Sequence, residues 1–401
     1  MTNSSRTLRT TLVIAIASAL LVTACDLKVT NPGPIADEQL SSVTAIPALV
    51  NGMSGDLSLA LGRYIDRGAL GSGELTEAGL FIPEGHYYLG QFVPQDVNAD
   101  WGNMQTARWT AESGLVRMKA VLGAGFDANV NTPRAYLYGG FANRLLGENV
   151  CTSVIDGGPA GSDSVYFTRA ESLFTRAFTL ATALNNTSIA TAALGGRASV
   201  RAWLGNWTGA VADALLVPTA YNFNAVFSTN TARENNDLVN QTLTRSETSV
   251  FGTVYAANNK EPRATWDTVK TGTAITKGAN GTAIFRQTKY KTLAAPVSLT
   301  KGTEMLLLRA EAALRAGDVT NAMLLINAER TTFALAPLAA TTTAAAWTAL
   351  QSERGLLLWL EGRRLWDLRR WFAEGTNTFL TGRDKCLPVS ADEAASNSNL
   401  H

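Results

Sequence analysis

One stretch in the C-terminal part of the chain, SERGLLLWLEGRRLWDLRRWF (Ser352–Phe372), constrains the whole fold. It contains eight charged residues together with three tryptophans and six leucines. A surface helix rarely presents so many large apolar side chains, and a core helix excludes charges that lack partners. The stretch therefore suits a protein interior only if its charges neutralise one another.

Helical spacing supplies such partners within the stretch itself. On an α-helix, Asp367 lies one turn from Arg363 and from Arg370, and Glu361 lies one turn from Arg364. Leucines recur along one side of the same helix, and tryptophans flank them. We therefore predict one structural helix, buried on several sides with its charges paired, and not a catalytic element.

Segments upstream have the apolar periodicity of amphipathic helices. Residues 168–184 begin with Thr168 and Glu171, the spacing of a capping box, and apolar residues then recur every three or four positions. Segments 191–217 and 304–330 each indicate two helices joined at a short corner, Gly205-Asn206 in the first and Gly317-Asp318 in the second. Both resemble tetratricopeptide hairpins, in which alanines let two helices approach. The predicted fold class is mainly α.

The N-terminal segment 1–24 is predicted to be a lipoprotein signal peptide. Two arginines precede Leu12–Val22, an apolar run of 11 residues that is too short to span a bilayer. The run leads into LVTAC, which resembles the bacterial lipobox, so Cys25 is predicted to be lipidated and to become the mature N-terminus. The alternative is an ordinary secretory signal with a cysteine nearby.

The rest of the chain is predicted to form one domain behind a linker. Residues 25–36 contain Asn-Pro-Gly-Pro, which excludes a helix and indicates an extended, lipidated linker. Residues 37–401 then form a single α-helical domain. Two stretches, about 60–105 and about 217–300, lack helical periodicity and predict long loops with a few short strands over the scaffold. Loops of this length usually carry function.

Known catalytic motifs are missing from the sequence. It has no nucleophile elbow, zinc-protease motif, P-loop or dinucleotide fingerprint. Glu74, Glu77 and Glu84 are close enough in sequence to suggest the carboxylate pair of a glycoside hydrolase, but carboxylates in loops are usually solvated. With two histidines in the chain, no zinc site is expected. We predict no catalytic residue, metal or cofactor. The formal charge of +1 also argues against a nucleic-acid partner.

Aromatic residues cluster in the two irregular stretches. Tyr87, Tyr88 and Trp101 belong to the first, and Tyr221 belongs to the second. Aromatic faces in loops stack on sugar rings and other flat apolar surfaces. The alternative is that the same rings anchor the loops to the core. We take these four as candidate ligand-binding residues on a shallow face.

Two cysteines remain once Cys25 is assigned to the lipid. Cys151 and Cys386 are far apart in sequence, and an exported protein meets an oxidising compartment. A disulfide between them is therefore predicted. Two buried free thiols are the alternative.

Several of these features together carry a family resemblance. The C-terminal stretch resembles the signature of the SusD/RagB family of outer-membrane nutrient-binding lipoproteins at Glu353-Arg354, Glu361-Gly362, Arg364, Asp367-Leu368 and Arg370. The preceding helix pair, CDLKVTNPG after the lipobox, EPR at 261–263 and the terminal SNSNL resemble the same family, in the expected order. Leu357 departs from the pattern, because the family often has glutamate there.

The resemblance implies both a fold and a function. The fold would be a SusD-like scaffold with four tetratricopeptide-like hairpins and one looped face. The protein would be a surface-exposed, lipid-anchored lid on a SusC-type TonB-dependent transporter of the outer membrane, binding a glycan, oligosaccharide or peptide without breaking a bond. Two other classes remain open: a lipid-anchored helical-repeat scaffold for envelope assembly, and a lipid-anchored hydrolase.

Overall fold

The computed structural model describes residues 40–401. The predicted signal peptide and the whole of the predicted linker, including Cys25, lie outside the described residues. Over the part described, no helix has the length and apolar character needed to cross a membrane. The α-helices in that part are α1 Ile46–Gly71, α2 Ile82–Leu89, α3 Asn98–Leu122, α4 Thr132–Asn149, α5 Ser164–Ala183, α6 Thr187–Trp203, α7 Trp207–Leu215, α8 Asp237–Val239, α9 Gly302–Arg315, α10 Val319–Thr331, α11 Thr343–Leu357, α12 Arg364–Ala373 and α13 Ala391–Ser396.

Most of these helices pack in pairs. The pairs α1/α3, α4/α5, α6/α7 and α9/α10 are each in contact, and α5 also packs on α6. The corners of two pairs fall where the sequence predicts them. Gly205 and Gly317 adopt left-handed backbone conformations (φ 81° and 79°), and the side chains of Asn206 and Asp318 then cap the next helix. The predicted mainly α fold with tetratricopeptide-like hairpins is confirmed.

Small residues set the distance between the central helices. A Cβ atom at Gly140 of α4 would lie 2.6 Å from the ring of Phe174, and one at Gly196 of α6 would lie 2.5 Å from the same ring. Phe174 of α5 is fully buried between them. The close approach of α4, α5 and α6 therefore requires glycine at both positions.

Short antiparallel ribbons cover one part of this scaffold. The strands are β1 Thr76–Glu77, β2 Thr152–Ser153, β3 Gly161–Ser162, β4 Asn222–Ala225, β5 Thr248–Ser249, β6 Trp266–Thr268, β7 Lys270–Thr271, β8 Ala274–Ile275, β9 Phe285–Gln287 and β10 Val297–Lys301. They pair as β1–β5, β2–β3, β4–β10, β6–β9 and β7–β8. The β4–β10 register shifts between Ser298 and Thr300, and β1–β5 joins the two irregular stretches.

The first irregular stretch is more helical than the sequence suggests. Helix α1 runs through to Gly71, α2 occupies Ile82–Leu89, and α3 begins at Asn98. Pro47 and Pro83 lie in the first turns of their helices, where a missing N–H costs nothing, so these prolines mark helix starts. The expected irregularity over 60–105 is wrong for these helical parts, whereas 217–300 consists mainly of loops and short strands.

The predicted capping box is also wrong. Helix α5 begins at Ser164, four residues before Thr168, and the Thr168 hydroxyl donates to the Ser164 carbonyl at 3.1 Å. Thr168 is therefore an interior helical residue. Sequence spacing alone did not locate the start of this helix.

The C-terminal stretch is two helices, not one. Helix α11 ends at Leu357 and α12 begins at Arg364, and between them Leu360 and Gly362 adopt left-handed conformations (φ 57° and 70°). The turn interrupts the helix, and Trp359 within it is one of the largest fully buried side chains.

This turn redirects the charges to partners on other elements. Asp367 accepts hydrogen bonds from Arg370, as predicted, and from Arg354 at 2.9 Å. Arg363, expected to meet Asp367, instead pairs with Glu148 at 2.9 Å and with Glu304 at 3.1 Å. Six of the eight charges are buried and paired, and they join α12 and the turn to α4, α9 and α11. Arg364 and Arg369 are partly exposed, and Arg364 donates to the Gln351 carbonyl.

A disulfide fixes the start of the C-terminal tail. Cys151, just after α4, is bonded to Cys386, which follows α12 in sequence. Backbone hydrogen bonds accompany the bridge: Leu387 donates to Asn149 at 2.8 Å, and Cys151 donates to Leu387 at 2.9 Å. The tail is therefore held against α4 by covalent and hydrogen-bonded contacts together.

Candidate functional site

A cleft of about 750 Å³ opens within the looped part of the described chain. Its walls come from the turn after α7, strand β4, the segment from β9 to β10, the end of α10 and the turn between α11 and α12. The side chains that define its chemistry are Tyr221, Lys289, Tyr290, Lys301, Phe333 and Glu361. This volume lies within the range of typical small-molecule sites.

Backbone contacts hold Tyr221 at the edge of the cleft. The Gly302 amide donates to the Tyr221 carbonyl at 2.8 Å, and the Tyr221 hydroxyl donates to the Ser188 carbonyl at 2.6 Å. A Cβ atom at Gly302 would lie 1.9 Å from the Pro218 carbonyl oxygen, so only glycine permits this approach. The ring is half-buried and its position is fixed from both ends.

Two further aromatic side chains line the cleft. Phe333 follows α10 and is partly exposed, and the Arg263 guanidinium lies 5.6 Å from its ring centroid. The chain leaves the helix through Ala334, whose φ is 54°. Tyr290 is buried, and burial together with the nearby Glu361 and Glu74 raises its pKa well above the usual value. Tyr290 therefore stays neutral.

A shared carboxylate lies at the base of the cleft. Glu361 accepts hydrogen bonds from Lys289 at 2.8 Å and from Lys301 at 2.7 Å. The same ammonium groups donate to backbone carbonyls near the end of α11, Lys289 to Trp359 at 2.6 Å and Lys301 to Leu357 at 2.8 Å. This arrangement places two cations at a helix C-terminus, where the backbone dipole favours them.

In this group, burial and the neighbouring opposite charges shift the pKa values in opposite directions. Burial alone would raise the pKa of Glu361, but the two lysines lower it below the usual value. Burial lowers the pKa of Lys289 to about 8, against the opposing effect of Glu361. At neutral pH the group holds one negative and two positive charges, a local excess of positive charge.

The four predicted ligand-binding residues do not come together. Tyr221 lines the cleft, whereas Tyr88 lies on α2 with 40% of its surface exposed and is absent from the cleft wall. Tyr87 and Trp101 are 0% and 2% exposed, so the expectation that they border an open face is wrong for these two rings.

The burial of these rings follows from helix geometry. Tyr87 and Tyr88 are consecutive on α2, so they project about 100° apart and only one faces the core. The Tyr87 hydroxyl donates to Asp100 at 2.6 Å, and the Trp101 indole donates to Glu393 at 3.4 Å. Both rings therefore anchor helices, which is the alternative that the sequence left open.

The acidic residues of the first stretch hold structure together. Glu74 is 1% exposed and accepts hydrogen bonds from the Leu360 amide at 2.8 Å and the Ser72 hydroxyl at 3.0 Å. Burial raises the pKa of Glu74 to about 7. Glu84 pairs with Arg67 at 3.3 Å. Among residues 40–401, no group of three or more metal-binding side chains is arranged to hold an ion.

Sequence reasoning missed most of the cleft. Lys289, Lys301, Phe333 and Glu361 come from four separate elements, and no spacing in the sequence relates them. The available signal was indirect: Lys289 lies within the second irregular stretch, and Lys301 directly follows it. Only the pairing of β4 with β10 brings them to Tyr221.

Comparison with known proteins identifies relatives of both the sequence and the fold. Residues 219–397 match the model of the SusD family. A SusD superfamily protein from Bacteroides thetaiotaomicron shares the fold with a TM-score of 0.69 at 14% identity, covering 90% of this chain and 98% of that one. A SusD superfamily protein from Bacteroides vulgatus gives 0.66 at 12% identity, covering 89% and 98%.

A third structure, a SusD-like carbohydrate binding protein from Bacteroides vulgatus, gives a TM-score of 0.58 at 15% identity, covering 82% of this chain and 83% of that one. No curated protein matches the chain. At such identities the structural likeness concerns the fold, and the sequence match rests on residues 219–397, which include the whole lining of the cleft and the C-terminal helices. Together these findings show that residues 219–397 match the SusD family and that the described chain shares the fold of SusD superfamily proteins.

Proposed function

We propose that this protein is a non-catalytic, lipid-anchored nutrient-binding protein of the outer membrane, and that its cleft binds an oligosaccharide. It would pass the ligand to a SusC-type TonB-dependent transporter. The observation that carries the proposal is the cleft of about 750 Å³, walled by Tyr221 and Phe333 and polar at its base, in the looped part of a SusD-like scaffold. Two proteins that share this fold are described as carbohydrate-binding and as putatively sugar-binding.

The chemistry of the cleft suits a sugar. Aromatic rings stack on the apolar faces of sugar rings, and a few fixed polar groups orient the hydroxyls. Tyr221 is held by its hydroxyl and by the backbone at its carbonyl, so binding would require little ordering of this residue. Nothing in this arrangement requires a bond to be broken.

A binding experiment tests the cleft. Isothermal titration against a panel of oligosaccharides should identify a ligand, and Phe333→Ala and Tyr221→Ala should each weaken its binding about fivefold to tenfold. Tyr88→Ala is the matched control, because Tyr88 is exposed but lies outside the cleft wall. Equal affinities for all three variants and the wild type would place the site elsewhere. Failure of every oligosaccharide to bind would refute the proposal.

The transporter partnership needs a separate experiment. Affinity isolation of the full chain from detergent-solubilised envelopes should recover a TonB-dependent transporter in stoichiometric amount. Recovery of other envelope proteins without any such transporter would favour the assembly-scaffold alternative. Release of shortened sugars from the oligosaccharide panel would favour the hydrolase.

A further inference from the structure

At the base of the cleft, the positive charges outnumber the negative charges that the protein supplies to balance them. Lys289 and Lys301 share one carboxylate, that of Glu361, and the side chains of the two lysines are 21% and 13% exposed. Each ammonium group has three N–H donors and uses two on protein acceptors, one carboxylate oxygen and one backbone carbonyl. One N–H on each lysine therefore remains for a further acceptor.

Two other acidic groups nearby do not restore the balance. Glu329 acts on Lys301 electrostatically, but it is paired with Arg263 at 2.9 Å, and burial raises its pKa to about 7. Glu74 acts on Lys289 electrostatically, but its carboxylate is already bound by the Leu360 amide and the Ser72 hydroxyl. Burial raises the pKa of Glu74 to about 7, so at neutral pH it holds only part of a negative charge. The Tyr290 ring, 5.4 Å from the Lys289 nitrogen, is neutral.

From this charge balance and from the aromatic walls beside it, we propose that the cleft selects oligosaccharides bearing carboxylate groups, that is, oligouronates. The carboxylate of one sugar unit would accept the remaining N–H donors of Lys289 and Lys301, while Tyr221 and Phe333 contact the sugar faces. This inference rests on the proposed function and specifies its ligand class. A carboxylate inside a partly buried site gains more from such pairing than it would in water.

A matched pair of ligands tests the charge directly. Oligouronates of galacturonic, mannuronic and glucuronic acid are titrated alongside the same oligosaccharides after methyl esterification, which removes the charge and keeps the sugar ring. At least one acid form should bind roughly tenfold or more tightly than its ester, because hydrogen bonds to charged groups are the stronger ones. Its affinity should also fall with added salt.

Substitutions assign the effect to the cleft. Lys289→Gln should weaken binding of the acid form roughly tenfold and binding of the ester much less, while Lys301 still pairs with Glu361. Lys289→Arg should restore much of the affinity. Lys291→Gln is the control, because it removes the same charge two residues away at an exposed position outside the cleft wall. Melting temperatures of all variants are measured to confirm folding.

The outcomes separate this inference from the proposed function. Equal affinity for acid and ester, or an unchanged affinity of Lys289→Gln for the acid, would overturn the carboxylate preference and leave oligosaccharide binding intact. Binding of neutral oligosaccharides alone would do the same. Binding of acidic peptides with no binding of any oligosaccharide would overturn both. Affinity for the acid form that declines above about pH 8, as Lys289 loses its proton, would support the inference.

Discussion

Asp367 shows what a single buried charge contributes to this fold. Its carboxylate accepts hydrogen bonds from Arg354 at 2.9 Å and from Arg370 at 2.7 Å, and all three side chains are buried. Arg370 continues the network to Glu311 at 2.6 Å. Removing one member of such a network leaves the others charged and desolvated, which costs more than the pair itself contributes.

We therefore predict that Asp367→Asn lowers the free energy of unfolding by about 3–5 kcal/mol. Urea denaturation followed by circular dichroism measures this. The control is Arg176→Gln, because Arg176 pairs with Asp127 at the surface, where their side chains are 42% and 56% exposed. That change should cost less than about 1 kcal/mol. A similar loss of unfolding free energy in both variants would show that the buried network stabilises the protein no more than the surface pair does.

The same carboxylate predicts an acid dependence. Burial alone would raise the pKa of Asp367, but Arg354 and Arg370 lower it to about 2 in the folded protein, below the ordinary 3.8. Its stabilising contribution is therefore complete above about pH 4 and is lost as the pH falls towards 2. The stability difference between wild type and Asp367→Asn should narrow over that interval. A difference that stays constant from pH 5 to pH 2 would argue against the lowered pKa.

At the scale of elements, the turn between α11 and α12 depends on backbone conformation. Gly362 has φ 70°, and a Cβ atom there would lie 3.3 Å from Leu61 and 3.4 Å from Ile65 of α1. The turn places Glu361 at the base of the cleft and Arg363 beside the buried Glu148, so it links the cleft to the core.

Gly362→Ala should destabilise the protein by about 1–2 kcal/mol, because an L-residue in the left-handed region is strained. Gly102→Ala is the matched control. Gly102 lies on the exposed side of α3, nothing approaches its Cβ position within 4 Å, and alanine there should stabilise the helix by up to about 1 kcal/mol. In thermal unfolding, the melting temperature should fall for Gly362→Ala and rise for Gly102→Ala. A Gly362→Ala variant as stable as wild type would show that the turn tolerates the strain.

The disulfide joins the tail to α4 and closes a sequence separation of 235 residues. Protein purified from the envelope, denatured without reductant and then alkylated, should show neither Cys151 nor Cys386 modified in its intact mass. Cys386→Ser should lower the free energy of unfolding by about 2–5 kcal/mol, since the bridge restricts the unfolded chain. Two alkylated cysteines in the unreduced wild type would rule out the bridge.

For the whole molecule, anchoring is a prediction from residues that lie outside the described part of the chain. LVTAC indicates lipidation at Cys25, so Cys25→Ala should abolish fractionation with membranes. One lipid-modified cysteine with several acyl chains gives strong attachment, whereas the folded domain offers no spanning helix within its described residues. Mass spectrometry of the wild type should also show that residues 1–24 are absent. Equal retention of the variant on membranes in high salt would refute the lipid anchor.

The sequence by itself determined the fold class and the resemblance to the SusD family, whose model matches residues 219–397. The signals that determined them are local or compositional, so they do not depend on how the helices are arranged in space. They are apolar residues at helical spacing, Gly-Asn and Gly-Asp corners, and a C-terminal stretch dense in both charges and tryptophans. The corners at Gly205 and Gly317 follow from backbone conformations that glycine adopts without strain, so the sequence located them correctly.

Tertiary structure alone decided the partners of the buried charges and the composition of the cleft. Spacing along one continuous helix assigned Arg363 to Asp367, but the turn at Leu360 and Gly362 sends Arg363 to Glu148. Likewise, the strand pairing of β4 with β10 brings Tyr221 and Lys301 together across a long stretch of sequence. Periodicity constrains contacts between residues three or four positions apart, whereas distant partners are selected by how the elements pack, which is why the cleft could not be read from the sequence.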